Sequence, residues 1–127
     1  MMRGPPRVLN RDPIQFGYEG DTIRLACDAF AIPKPIAIQW SQLGYPVDLS
    51  KNHYSVVEDP RKDGMKSTLI IRNSIKTDFD QYNCTVINSH GSDSFIIELK
   101  KQSKIENDFL ITIWRFHFYT HFQRASL

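Results

Sequence analysis

Four groups of residues in this 127-residue chain are of types that do chemistry. Cys27 and Cys84 are its two cysteines. A nucleophilic or redox-active cysteine needs its thiolate held beside a cation or a base. Both of these stand inside alternating apolar runs, which points to structural cysteines rather than reactive ones. Asn83-Cys84-Thr85 has the Asn-X-Thr form of an N-glycosylation acceptor. Asp78 and Asp80 could form a carboxylate pair for acid–base work. The blander account fits better: Asp78 stands at a strand corner where a carboxylate pairs with a basic side chain, with Arg72 or the Arg61-Lys62 loop as partner. His117 and His121 have the spacing that lets two ligands meet on one helix face, yet no Cys, Asp or third His joins them. His53 and His90 fall in expected loops and read as solvated. There is no Ser/His/Asp order and no glycine-rich phosphate loop. The expectation is a protein that is not an enzyme and takes no metal, cofactor or small-molecule substrate.

The bulk properties narrow the class. Sixteen basic and 14 acidic residues give a net charge of +2, which argues against a nucleic-acid binder driven by charge. Apolar residues at 41% and charged residues at 24% are ordinary for one globular domain. Two cysteines are too few for a four-cysteine zinc site and enough for one bridge. No apolar run reaches the roughly 18–20 residues that cross a bilayer. Met1-Met2-Arg3-Gly4-Pro5-Pro6 lacks the apolar core of a secretory signal. A protein working outside the cell would then be represented here by a fragment.

The elements that must position these residues are short strands. Residues 5–102 alternate apolar and polar positions in short runs separated by turn residues. Ile23, Leu25 and Cys27 share one face, as do Ile36, Ile38 and Trp40. Leu69 and Ile71 point inward, with Thr68, Ile70 and Arg72 outward. Tyr82, Cys84 and Val86 point inward, and so do Phe95, Ile97 and Leu99. Gly44-Tyr45-Pro46, residues 59–64 and residues 89–92 read as loops, and the charge run from Glu58 to Lys66 as a solvated one. No helical period persists in the body. Residues 1–4 read as a linker. Residues 103–127, with Phe109, Trp114, Phe116, Phe118, Tyr119 and Phe122, read as an aromatic-rich tail outside the domain and poorly ordered.

Trp40 follows Cys27 by 13 positions, and Tyr82 precedes Cys84 by two. This Cys…Trp…Tyr-x-Cys arrangement resembles the immunoglobulin fold, an all-β antiparallel sandwich with Greek-key connections. Asp78-Phe79-Asp80-Gln81-Tyr82-Asn83-Cys84 resembles the D-x-[G/A]-x-Y-x-C motif of I-set domains, with Asp80 in place of the usual small residue. The resemblance implies a Cys27–Cys84 disulfide bridging two sheets, Trp40 packed on it, Leu69 in the core, and a Tyr82 hydroxyl turned back to the backbone at the corner.

Gly4-Pro5-Pro6, residues 66–71 and residues 82–91 resemble a late repeat of the roughest/kin-of-irre/nephrin group of cell-surface adhesion molecules. That resemblance implies an extracellular repeat of a plasma-membrane protein, meeting other immunoglobulin-superfamily proteins homophilically or heterophilically, or acting as a spacer. If Asn83 carries a glycan, the sugar covers part of the face it shares with Thr85. Gln39, Tyr45 and Ile87 are the candidate contact residues. Two other readings remain: an intracellular I-set domain of a muscle or cytoskeletal protein with reduced cysteines, and a product whose odd tail leaves it without a function of its own.

Overall fold

The computed structural model describes residues 3–35 and 37–103. The expected tail, with its His117–His121 pair, and the inward placement of Ile36 lie outside the described residues. The strands are β1 (Arg7–Val8), β2 (Ile14–Gly17), β3 (Ile23–Phe30), β4 (Ala37–Gln42), β5 (Tyr45–Pro46), β6 (Tyr54–Arg61), β7 (Gly64–Ile71), β8 (Gln81–Asn88) and β9 (Gly91–Lys101). They form two sheets, ordered β1-β3-β7-β6 and β2-β9-β8-β4-β5.

Period-two burial explains why two sheets face each other. In β3, Ile23, Leu25, Cys27 and Ala29 are buried. In β8, Tyr82, Cys84, Val86 and Asn88 are. Trp40, Leu69, Ile71, Ile97 and Leu99 complete the layer between the sheets. Ile70, expected outward, is buried as well.

The first strand is shared between the sheets. β1 pairs antiparallel with β3, and β2 then pairs parallel with β9, the one parallel pair among the described strands. Where the chain leaves the first sheet, the Asn10 side chain stands in for backbone. Its Oδ1 accepts the Asp28 N–H at 2.6 Å, and its Nδ2 donates to the Ala26 carbonyl at 2.9 Å. Asp93 on β9 holds the same segment from the other sheet, accepting from the Val8 N–H and from Arg11.

Three segments read as loops are largely strand. Asp59, Pro60 and Arg61 belong to β6, and Lys62-Asp63 alone form the turn to Gly64. The charged stretch from Glu58 to Lys66 is therefore a hairpin with exposed strand ends. β6 is the edge of its sheet, and an edge strand tolerates a proline because one side of it has no ladder to donate to. Tyr45-Pro46 is the short strand β5, and Gly91 and Ser92 open β9. Turn composition identified the bends but overstated their length, because charged residues on an edge strand and loop residues look alike.

Positive φ recurs at several turns, and at two of them it bears on stability. Leu43 and Gly44, joining β4 to β5, have φ of 50° and 86°, the double positive φ of a type I′ turn. Gly64 has φ of 156°, and a Cβ there would sit 1.8 Å from the Ala29 carbonyl oxygen of β3. Gly64→Ala is therefore expected to lower stability by about 2–3 kcal/mol, read as a lower urea midpoint. Leu43 is exposed, so its replacement loses little burial. Leu43→Asn is expected to raise stability by about 0.5–1 kcal/mol in the same measurement, because Asn tolerates the left-handed region.

Candidate functional site

The cysteines sit where two sheets can be joined. Cys27 on β3 and Cys84 on β8 are disulfide-bonded, with Cα atoms 6.5 Å apart. Trp40 is the cross-strand partner of Cys84. Its indole N–H donates to the Ser67 hydroxyl at 2.9 Å, and Ser67 is the cross-strand partner of Cys27 on the opposite sheet. The two cysteines, Trp40 and Ser67 thus make a covalent and a hydrogen-bonded link side by side. Sequence reasoning missed Ser67. Its signal was present: Ser67 has the inward parity of Leu69 and Ile71, so a hydroxyl was bound for the core and needed a partner there.

The second group lies at the corner before β8, where a short 3₁₀ turn spans Lys76–Asp78. The Tyr82 hydroxyl donates to the Asp78 backbone carbonyl at 2.7 Å, which is the backbone return expected for it. The Asp78 carboxylate is almost wholly buried and shared among three donors. Tyr54 O–H donates to Oδ1 at 2.5 Å. The Ile75 N–H donates to Oδ2, and His53 Nε2 stands 2.8 Å from the same oxygen. The partner of Asp78 is thus His53 with Tyr54, not Arg72 or the Arg61-Lys62 loop. Arg72 instead donates to Ser55 Oγ, and Arg61 stands near Asp28. His53 is half-buried in this cluster rather than solvated. Nothing in the spacing of His53 and Tyr54 revealed this. They reach Asp78 because the chain enters β6 beside the corner.

Burial, then the hydrogen bond to the Asp78 carboxylate, pushes the Tyr54 hydroxyl pKa up to about 12. Burial, then the Tyr54 hydroxyl 3.3 Å away, pushes Tyr82 up as well. Through these three contacts the Asp78 carboxylate ties the corner before β8 to the chain entering β6. Among the described residues, no three His, Cys, Asp or Glu side chains gather as a metal ion would need.

The third group is the outer face of the β2-β9-β8-β4-β5 sheet. Asn83, Thr85 and Ile87 stand on β8 and Gln39 on β4, all half-exposed or exposed. Thr85 pairs with Gln39 on one side and Ser94 on the other. Tyr45 projects from β5, 77% exposed. It lies at the turn end, away from Ile87, which pairs with Ala37 at the other end of β4. The structure therefore does not bring Tyr45 and Ile87 together. At the open edge beyond β4, where β5 is only two residues long, a cleft of about 550 Å³ lies between the sheets, lined by Trp40, Val47, Leu49, Val56 and Glu58 among others.

The tyrosine cluster has a titration consequence. A native proton held above the unfolded value of 10 stabilises fully below that pH and is lost as pH rises toward 12. Wild-type stability is expected to fall steeply between about pH 10 and 12. Tyr54→Phe is expected to cost about 1–2 kcal/mol near neutral pH and to flatten that fall, measured by urea unfolding across the range.

The protein-family model described as "Immunoglobulin domain" matches residues 5–88. The chain is 35% identical over 113 residues to the irregular chiasm C-roughest protein of Drosophila melanogaster, covering 88% of this chain and 14% of that protein. It is 34% identical over 103 residues to human Kin of IRRE-like protein 3, covering 80% of this chain and 13% of that one. Among solved structures, titin domain M7 superposes with a TM-score of 0.69 at 22% identity, covering 81% of this chain and 99% of that one. A chain of the Dpr2 Ig1-Ig2 complex with DIP-Theta Ig1-Ig3 gives 0.70 at 21% identity, covering 76% of this chain and 32% of that one. At those identities the superpositions speak to the fold alone. The described sandwich, its bridging disulfide and the matching model together place this chain in the immunoglobulin domain family, homologous to roughest and the Kin of IRRE-like proteins.

Proposed function

We infer that this chain is one extracellular I-set repeat, with residues 5–102 as its folding unit, of a plasma-membrane adhesion or recognition protein. The observation that carries this reading is the match to roughest along 88% of the chain, far beyond the motif around the cysteines. The chain spans about a seventh of that relative's length, so it corresponds to one module of a larger protein. Its action is non-covalent contact with other immunoglobulin-superfamily proteins at the cell surface, or rigid spacing between neighbouring repeats. The group it resembles generally uses its N-terminal repeats for recognition between cells, so a late repeat fits the spacer role. Where contact occurs, Tyr45 is the favoured anchor, because a large amphipathic ring stands exposed on a rigid hairpin. Gln39 and Ile87 belong to the neighbouring face. Asn83 is an acceptor for an N-linked glycan on that same face.

A second reading has one observation in its favour. Titin domain M7 has the same fold over 99% of its length, so the sandwich also suits an intracellular filament module. The two readings part on the cysteines. In an oxidising compartment the Cys27–Cys84 bridge closes a 57-residue separation and adds roughly 4 kcal/mol in the chain-entropy account. In a reducing one it stays open.

The deciding experiment is intact mass of the chain secreted from cells, before and after reduction with thiol alkylation. The expected result is a mass short by two hydrogens and no alkylation without reductant. Free thiols in a chain that still folds would overturn the extracellular reading.

A further inference from the structure

Asn83 is the third residue of β8 and is paired on both sides: with Ser41 of β4 and with Ile96 of β9. Its Oδ1 is covered and has no hydrogen-bond partner. The acceptor's other essential group is engaged too, since Thr85 Oγ1 lies 3.1 Å from Ser94 Oγ on β9. The residue between them, Cys84, is bonded to Cys27. A transferase must draw the Asn amide, the Thr hydroxyl and the backbone between them into its cleft together. In the folded domain that needs β8 stripped from both neighbours while its centre is tied to the opposite sheet. Such an opening approaches global unfolding in cost.

We propose that Asn83 takes a glycan only while Cys84 is reduced, so that its occupancy is set by a race between glycan transfer and closure of the Cys27–Cys84 bond. This rests on the extracellular reading. In transfer, Asn83 Nδ2 forms a bond to the anomeric carbon of a lipid-linked sugar diphosphate. The anomeric C–O bond breaks, the lipid diphosphate leaves, and Nδ2 gives up one proton. In closure, the two thiols lose two protons and two electrons to a disulfide oxidant of the secretory lumen, and the S–S bond forms.

The race is one-sided. Closure blocks transfer, because it pins the acceptor's middle residue. Transfer does not block closure, because Asn83 projects from the face opposite to Cys84, with the small Ser41 beside it and the half-exposed Ile96 across from it. Chain order sharpens the contest: Cys27 precedes Cys84 by 57 positions and is already in the lumen when the acceptor arrives. The product is a mixture of glycosylated and bare chains, both carrying the disulfide.

The test is the fraction of chain shifted by peptide N-glycosidase, measured on cells plus medium so that misfolded chain is counted. The full chain is expressed behind a secretion signal as wild type, as wild type with dithiothreitol present during synthesis, as Cys27→Ser, and as Thr85→Ala. Cys27→Ser keeps the acceptor tripeptide and removes the bond together with the stability the bond confers. Wild type is expected to be partly occupied, and Cys27→Ser and reductant-treated wild type roughly twofold or more higher. Reductant adds nothing to Cys27→Ser, and Thr85→Ala removes the shift. Equal occupancy with and without the bond overturns the race, as does complete occupancy of wild type. No glycan on any form, with the bond intact in secreted chain, overturns this proposal and leaves the extracellular reading standing. Free thiols in folded wild type overturn both.

Discussion

Two β-sheets with apolar inner faces bury them against each other at a spacing fixed by the side chains between them. In this chain that spacing is set at one place. Cys27 and Cys84 reach from facing strands and bond, with 6.5 Å between their Cα atoms. Beside them Trp40 spans the same gap, and its single polar atom finds Ser67 on the far sheet. An indole N–H left without a partner at this depth would cost as much as the bond it replaced was worth, or more. The serine is therefore part of the reason a tryptophan can be there. Leu25, Leu69, Ile71, Val86 and Leu99 fill the layer around this pair of links.

The corner before β8 solves a different problem. The chain must cross from one sheet to the other and enter β8 in the register that points Cys84 inward. A slip of one residue would put Cys84 on the solvent face. Tyr82, two residues before Cys84, shares its parity, and its hydroxyl is tied to the Asp78 backbone. The Asp78 side chain in turn holds Tyr54 and His53 at the start of β6. The register of β8 is thereby fixed to the opposite sheet as well as to its own neighbours. His53 and Tyr54 are thereby linked to the strand that carries Cys84 through Asp78 and Tyr82.

Much of this was legible in the residue order. Period-two runs gave the inward faces of β3, β8 and β9, and the positions of Trp40 and Tyr82 relative to the cysteines identified the sandwich. What was not legible has a common cause. The edge strand β6 carries Glu58, Asp59, Pro60 and Arg61, which is loop composition, because an edge must repel other strands. The two-residue strands β1 and β5 are too short to show a period. At the corner, the charge of Asp78 suggested an arginine or a lysine. The fold meets it instead with a hydroxyl, an imidazole and a backbone N–H, contacts set by which loop passes nearby and not by any spacing along the chain. On the outer face the reverse holds: parity correctly put Asn83, Thr85 and Ile87 together, but could not place Tyr45 at the far end of the sheet.

The parallel pairing of β2 with β9 bears on how the module responds to tension. Both strands run in the same direction, with Ile14 opposite Glu98 and Gly17 opposite Lys101. A pull applied through the flanking chain drags β2 toward its start and β9 toward its end. The ladder between them is then loaded along its length, and its hydrogen bonds must yield together. A hairpin pulled from its open end gives way one bond at a time. Should the ladder slip, the bridge from Cys27 to Cys84 still withholds the intervening residues from extension. The covalent bridge thus sets an upper bound on how far the domain can stretch, a bound the hydrogen-bonded ladder alone does not supply.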